Sequence, residues 1–163
     1  MKYLTFIAAL AVAPTAMAHE YSVGDLTVDH PYALATVGNA PVGGGYLQIV
    51  NSGDGDDVLV AVRVTPEVAG MVQLHEMRLE DGVMRMNEIP DGIPVPAGGT
   101  VTLEPGGLHV MFMRLPEGLE AGTEFPATLV FRNAGEVEVS FTVEERGTPD
   151  GADDPHGHSR HGE

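Results

Sequence analysis

The sequence predicts an all-β fold, a Greek-key sandwich or barrel of about nine short strands. Past residue 18 the chain is rich in valine, threonine, glycine and proline, arranged in short alternating runs without a segment of helical period. Turn-forming clusters recur between those runs, namely Asn51-Ser52-Gly53-Asp54-Gly55-Asp56, Asp81-Gly82, Ala97-Gly98-Gly99, Pro105-Gly106-Gly107 and Asn133-Ala134-Gly135. The expected strands are Leu26 to Asp29, Gly45 to Asn51, Val58 to Val64, Met71 to Met77 and Val83 to Ile89. Thr100 to Leu103, Leu108 to Arg114, Ala127 to Arg132 and Val137 to Val143 complete the set. This spacing suits two packed antiparallel sheets, and Pro66 to Gly70 has room for one helical turn.

With 163 residues, 43% of them hydrophobic, the chain can bury one core and is short for two domains. Residues 1–18 combine Lys2, an apolar run from Leu4 to Ala13 and the Ala16-Met17-Ala18 cleavage pattern of a secretory signal peptide. The apolar run is too short to span a bilayer, and no later stretch approaches the ~20 apolar residues a span needs. The expectation is an exported, periplasmic protein beginning at His19, with one domain over 19–147. Residues 148–163 offer almost nothing to bury, so this acidic, His-containing tail is expected to be disordered.

Removing the leader takes away the only lysine and leaves seven arginines against 24 carboxylates, a charge of −17 with neutral histidines. Nucleic acid and anionic lipid are therefore poor partners. The absence of cysteine rules out a disulfide framework and every thiolate ligand. Neither a Ser-His-Asp nor a paired-carboxylate arrangement stands out, and a non-catalytic protein is expected.

Chemistry concentrates between Leu74 and Met86, where a histidine and three methionines surround Asp81-Gly82. Strand alternation puts Met71, Gln73, His75 and Met77 on one face. A two-residue turn at Asp81-Gly82 sets Glu80 opposite Val83, Met77 opposite Met86 and Leu79 opposite Met84, with His75 diagonal to Met86. One hairpin can then present an imidazole and up to three thioethers, whereas a turn longer by one residue would break that parity. The stretch Leu108 to Met113 repeats the pattern, with His109, Met111 and Met113 on one face and Leu108, Val110 and Phe112 on the other. A lone strand methionine usually fills a gap in the core. Histidines alternating with the methionines argue against that, because a buried imidazole needs a polar partner. Two imidazoles with two thioethers select Cu(I), which thioether sulfur binds well, over Zn²⁺, Mg²⁺ or Ca²⁺. A blue-copper electron-transfer centre would need a cysteine that this chain lacks, so carriage of copper is expected rather than electron transfer.

The order His75, ten residues, Met86, twenty-two residues, His109-Val110-Met111 resembles the signature of the PCu(A)C periplasmic copper chaperones. The text around it is similar too: Gly44 to Asn51, Glu80 to Met86, Pro96 to Gly99 and Pro105 to His109. The resemblance, over roughly Val28 to Val143, implies a cupredoxin-like β-sandwich with His75, Met86, His109 and Met111 as Cu(I) ligands. It implies delivery of copper for the CuA centre of cytochrome c oxidase, often alongside a Sco-type protein. Met77, Met84 and Met113 lie outside that signature and read as flanking or packing residues. One departure is Tyr32-Ala33-Leu34, where relatives commonly carry a Pro-Trp-Ala-Arg segment, so a charge is lost at Leu34. The tail histidines His156, His158 and His161 form a candidate secondary Cu(II) site, as does His19 with the mature amino terminus. The alternative function is a periplasmic copper buffer that binds Cu(I) and Cu(II) without specific transfer.

Overall fold

The computed structural model of the chain describes residues 20–147. The expected signal peptide, His19 and the expected tail with His156, His158 and His161 lie outside the described residues. Eleven strands and no helix make up the described part. They are β1 (Glu20–Val23), β2 (Leu26–Leu34), β3 (Val42–Asn51), β4 (Asp57–Arg63), β5 (Met71–Glu80) and β6 (Val83–Glu88), followed by β7 (Ile93–Val95), β8 (Thr100–Leu103), β9 (Leu108–Met113), β10 (Glu124–Phe131) and β11 (Gly135–Glu144).

Hydrogen bonding runs along an open path, β6-β5-β9-β3-β2-β11-β10-β4-β7, with β1 added beside β2 and β8 beside β3. All pairings are antiparallel except β2 with β11. Two strands change partners along their length, which is how one sheet turns into two layers around a core. In β2, Leu26 to Asp29 pair with β1, while Tyr32 to Leu34 pair with β11. The change falls at an irregularity in the β2–β3 register, where His30 has a φ of 47° and Pro31 lacks an N–H. In β3, Val42 to Gly45 pair with β9, and Leu47 to Val50 pair with β8. The first half of β3 thereby joins the β5–β6–β9 flank.

Alternation decides the interior. Val110 and Phe112 of β9 and Leu74 of β5 point into the core. Phe112 meets Phe125 and Phe141 edge-on at 5.3 and 5.5 Å, and Phe125 stacks on Phe141 at 5.5 Å, closing the centre of the sandwich. Fully burying a side chain of this size is worth about 1.5–3 kcal/mol, so this trio anchors the back of β9.

The structure differs from expectation in the strand count and in the bounds of several strands. Strands β1 and β7 were not anticipated, being four and three residues long, and β7 contains Pro94, which cannot donate to a ladder. Strand β2 runs past Pro31 to Leu34, because the irregularity absorbs the proline. Pro66 to Gly70 makes one turn, with Val68 N and Ala69 N donating to Thr65 O at 2.9 and 3.2 Å, and does not continue as helix. Tyr32, at the departure from the familiar segment, packs against Tyr46 at 5.2 Å, and exposed His30 pairs with Glu144 at 2.9 Å.

Candidate metal centre

Asp81 and Gly82 both take positive φ, 52° and 78°, the geometry of a two-residue type I′ hairpin turn. The turn sets the register of β5 on β6: Glu80 opposite Val83, Leu79 opposite Met84, Met77 opposite Met86 and His75 opposite Glu88. Each of those pairs follows the parity read from the sequence. On its other side β5 pairs with β9, which places His75 directly opposite His109, Gln73 opposite Met111 and Met71 opposite Met113. Strand β3 then adds Gly44 opposite Met111. The resulting face carries His75, Met77 and Met86 from the hairpin beside His109 and Met111, while its reverse is apolar core at Leu74, Val110 and Phe112 and exposed and charged farther out along the hairpin, at Glu80 and Arg85.

The two imidazole rings lie 5.7 Å apart, centre to centre, and tilted by 57°. His109 is 4% exposed, and its Nδ1 lies 3.0 Å from the carbonyl oxygen of Gly107. A carbonyl only accepts, so Nδ1 carries the proton and Nε2 keeps a free lone pair. His75 is arranged the other way round: its Nε2 donates to Oε1 of Gln73 at 3.0 Å, leaving Nδ1 free. Those two atoms, His75 Nδ1 and His109 Nε2, are the buried side-chain nitrogens or oxygens without a partner among the described residues. A buried polar atom left unpaired costs about 1–3 kcal/mol, and a ring nitrogen freed by a hydrogen bond from its twin is the usual state of a ligating histidine. Burial, then the neighbouring His109, hold the His75 imidazole below its ordinary pKa, against the pull of Glu88. The shift favours the neutral form that binds metal.

Above this face opens a cavity of about 160 Å³ whose walls include Tyr46, Met77, Met86, His109, Met111 and Arg146. Gly44 makes room for it: a Cβ there would come within 2.5 Å of the Tyr46 hydroxyl. Exposure rises outward along the face, from His109 at 4% through Met86 at 46% to Leu79 at 68%. No group of three or more His, Asp or Glu side chains among the described residues is placed to hold a metal. The other donors this face presents beside the imidazoles include the methionine sulfurs of Met77, Met86 and Met111, which suit Cu(I).

The structure brings Met86, His109 and Met111 to one cavity and sets His75 against His109. Met113 and Met84 do not line that cavity. Gln73, the Gly107 carbonyl, Tyr46 and Arg146 were not singled out as parts of the site. Gln73 could have been found from its place two residues before His75 on the same strand face. The Gly107 carbonyl stands likewise two residues before His109, whereas Tyr46 and Arg146 come from distant parts of the chain.

The chain is 36% identical over 97 residues to the putative lipoprotein Lxx21020 of Leifsonia xyli subsp. xyli. That match covers 60% of this chain and 57% of the relative, so the chain spans little more than half the relative's length. Among solved structures it is similar to the copper-bound PCuAC domain from PmoF2, with a TM-score of 0.65 and 31% identity over 78% of this chain and 99% of the domain. It is also similar to the solution structure of CuI-DR1885 from Deinococcus radiodurans, with a TM-score of 0.59 and 26% identity over 79% of this chain and 81% of the other. These neighbours share the cupredoxin-like β-sandwich. The model of the family described as "Putative lipoprotein LpqE-like" matches residues 26–143, from the start of β2 to the last turn of ladder in β11, and the chain belongs to that LpqE-like family.

Proposed function

We propose that the protein is an exported, periplasmic copper-binding chaperone that holds Cu(I) through His75, Met86, His109 and Met111. The observation that carries this reading is the pair of buried ring nitrogens, His75 Nδ1 and His109 Nε2, each freed by a hydrogen bond from its twin and set beside thioethers. Copper bound by the PmoF2 domain and Cu(I) bound by DR1885 support the choice of ion. All four donors are neutral, so binding releases no proton and the soft sulfurs favour the reduced ion. Met86, half-exposed at the rim, gives a partner protein access to the cargo.

X-ray absorption on the Cu(I)-loaded chain tests the ligand set: two nitrogen and two sulfur scatterers are expected, and an oxygen-rich shell would contradict it. The recipient we propose is the CuA subunit of cytochrome c oxidase, with a Sco-type protein as companion in the same assembly. Transfer of Cu(I) to a CuA apoprotein separates this delivery role from simple buffering, in which copper stays on the donor until a chelator removes it. A Cu(II) site at His156, His158 and His161 is a separate proposal, tested by Cu(II) titration of the full chain against one truncated after Gly147.

A further inference from the structure

We infer that Met77 is a third sulfur donor, the one through which Cu(I) enters and leaves the site; this rests on the copper reading above. Met77 stands directly across the hairpin from Met86 and lines the same cavity as Met86, His109 and Met111. Its backbone is fixed relative to the deepest histidine, because the Gly107 carbonyl accepts both the Met77 N–H at 3.1 Å and the His109 Nδ1–H at 3.0 Å. Met77 is half-buried, whereas the next pair outward, Leu79 and Met84, is exposed at 68% and 51%. An ion arriving at the cavity mouth therefore meets the Met77–Met86 pair before it reaches His109.

His75 belongs to the face but not to the cavity walls, so the walls present one imidazole and three thioethers. This arrangement permits a stepwise exchange. As the ion moves outward, the Cu–S bond to Met77 forms while the Cu–N bond to His75 breaks. Both donors are neutral, so the step moves neither an electron nor a proton. The remaining sulfurs keep the ion soft-ligated throughout.

The test is stopped-flow removal of Cu(I) from the loaded full chain by a chromophoric bathocuproine chelator, comparing wild type with Met77→Leu, Met84→Leu and Met86→Leu. Leucine keeps the volume of methionine and removes its sulfur. For Met77→Leu, removal is expected to slow about tenfold, with equilibrium affinity within about threefold of wild type and the same apo unfolding midpoint. Met84→Leu should match wild type in every respect. An unchanged removal rate in Met77→Leu overturns the inference alone. So does a loss of affinity as large as that of Met86→Leu, because Met77 would then be a resident ligand. A wild-type chain that takes up no Cu(I) overturns the copper reading as well.

Discussion

Among the described residues the structure buries three polar side chains, Asn51, Asp57 and His109, and they sit in two contrasting regions. Asp57 Oδ1 accepts from Val58 N at 2.7 Å and Asn133 N at 2.9 Å, and Oδ2 accepts from Ala134 N at 2.8 Å. Asn51 donates to Gly55 O and Val95 O and accepts from Gly53 N. Together they tie the β3–β4 turn to the β10–β11 turn. Here every buried polar group has work within the fold. In the His75–His109 region each ring has one nitrogen satisfied and one left over. The larger cavity, about 410 Å³, lies beside Asp57, and the smaller, about 160 Å³, beside His109. The contrast teaches that hydrogen bonds left unmade, rather than cavity size, distinguish a place built for a ligand from one built for stability.

The sharpest way to break the comparison is Asp57→Ala, which strands three part-buried N–H groups and should destabilise the fold by about 3 kcal/mol. Chemical denaturation measures this, and Cu(I) affinity should stay at the wild-type value. A loss of copper binding in a folded Asp57→Ala chain would mean that the two regions are not independent. The mirror-image change, His109→Ala, should lower Cu(I) affinity by more than about 100-fold, since even outer partners of a metal ligand are worth 10–100-fold. Competition with a chromophoric chelator reads that out, and the apo protein should keep its fold, because an unpaired nitrogen is removed along with the ring.

Gln73→Leu should have a smaller effect, about tenfold in affinity. It frees Nε2 of His75 and lets the ring change tautomer, which nitrogen NMR of the imidazoles reports directly. A wild-type tautomer pattern in this variant would count against Gln73 as the residue that orients His75.

Titration separates the regions further. Burial by itself would raise the Asp57 carboxyl, but hydrogen bonds from Asn133, Val58, Ala134 and Arg132 outweigh it and hold its pKa below the ordinary value. Its contribution to stability is therefore present above the unfolded carboxylate range and lost as pH falls through its lowered folded value. His75 is also lowered in the fold, first by burial. The unfolded chain thus takes up its proton first, and stability declines as pH drops through the ordinary histidine range toward the lowered value. Apo stability against pH should show two separate acid limbs, with the upper one absent from His75→Ala and the lower one flattened in Asp57→Asn.

The smallest effect belongs to the reverse side of the hairpin. Arg85 pairs with Glu80 at 3.4 Å, with both side chains about half exposed, so Arg85→Ala should change stability by at most about 0.5 kcal/mol and leave copper binding alone.

Much of one half-site was legible in the chain itself. Strand period and the Asp81-Gly82 turn are local properties, so the face shared by His75, Met77 and Met86 and the pairing of Met77 with Met86 could be read before any folding. The kinds of donor, two imidazoles and several thioethers without a thiolate, were likewise set by composition. The sequence did not determine that β5 lies against β9, which puts His75 opposite His109 across 34 residues of chain. Nor did it determine that β2 and β3 change partners midway, or that the Gly107 carbonyl serves both His109 and Met77. Those are long-range choices made by burying the apolar reverse of β9 against Phe125 and Phe141, and local propensity carries no information about which distant strand that burial will select.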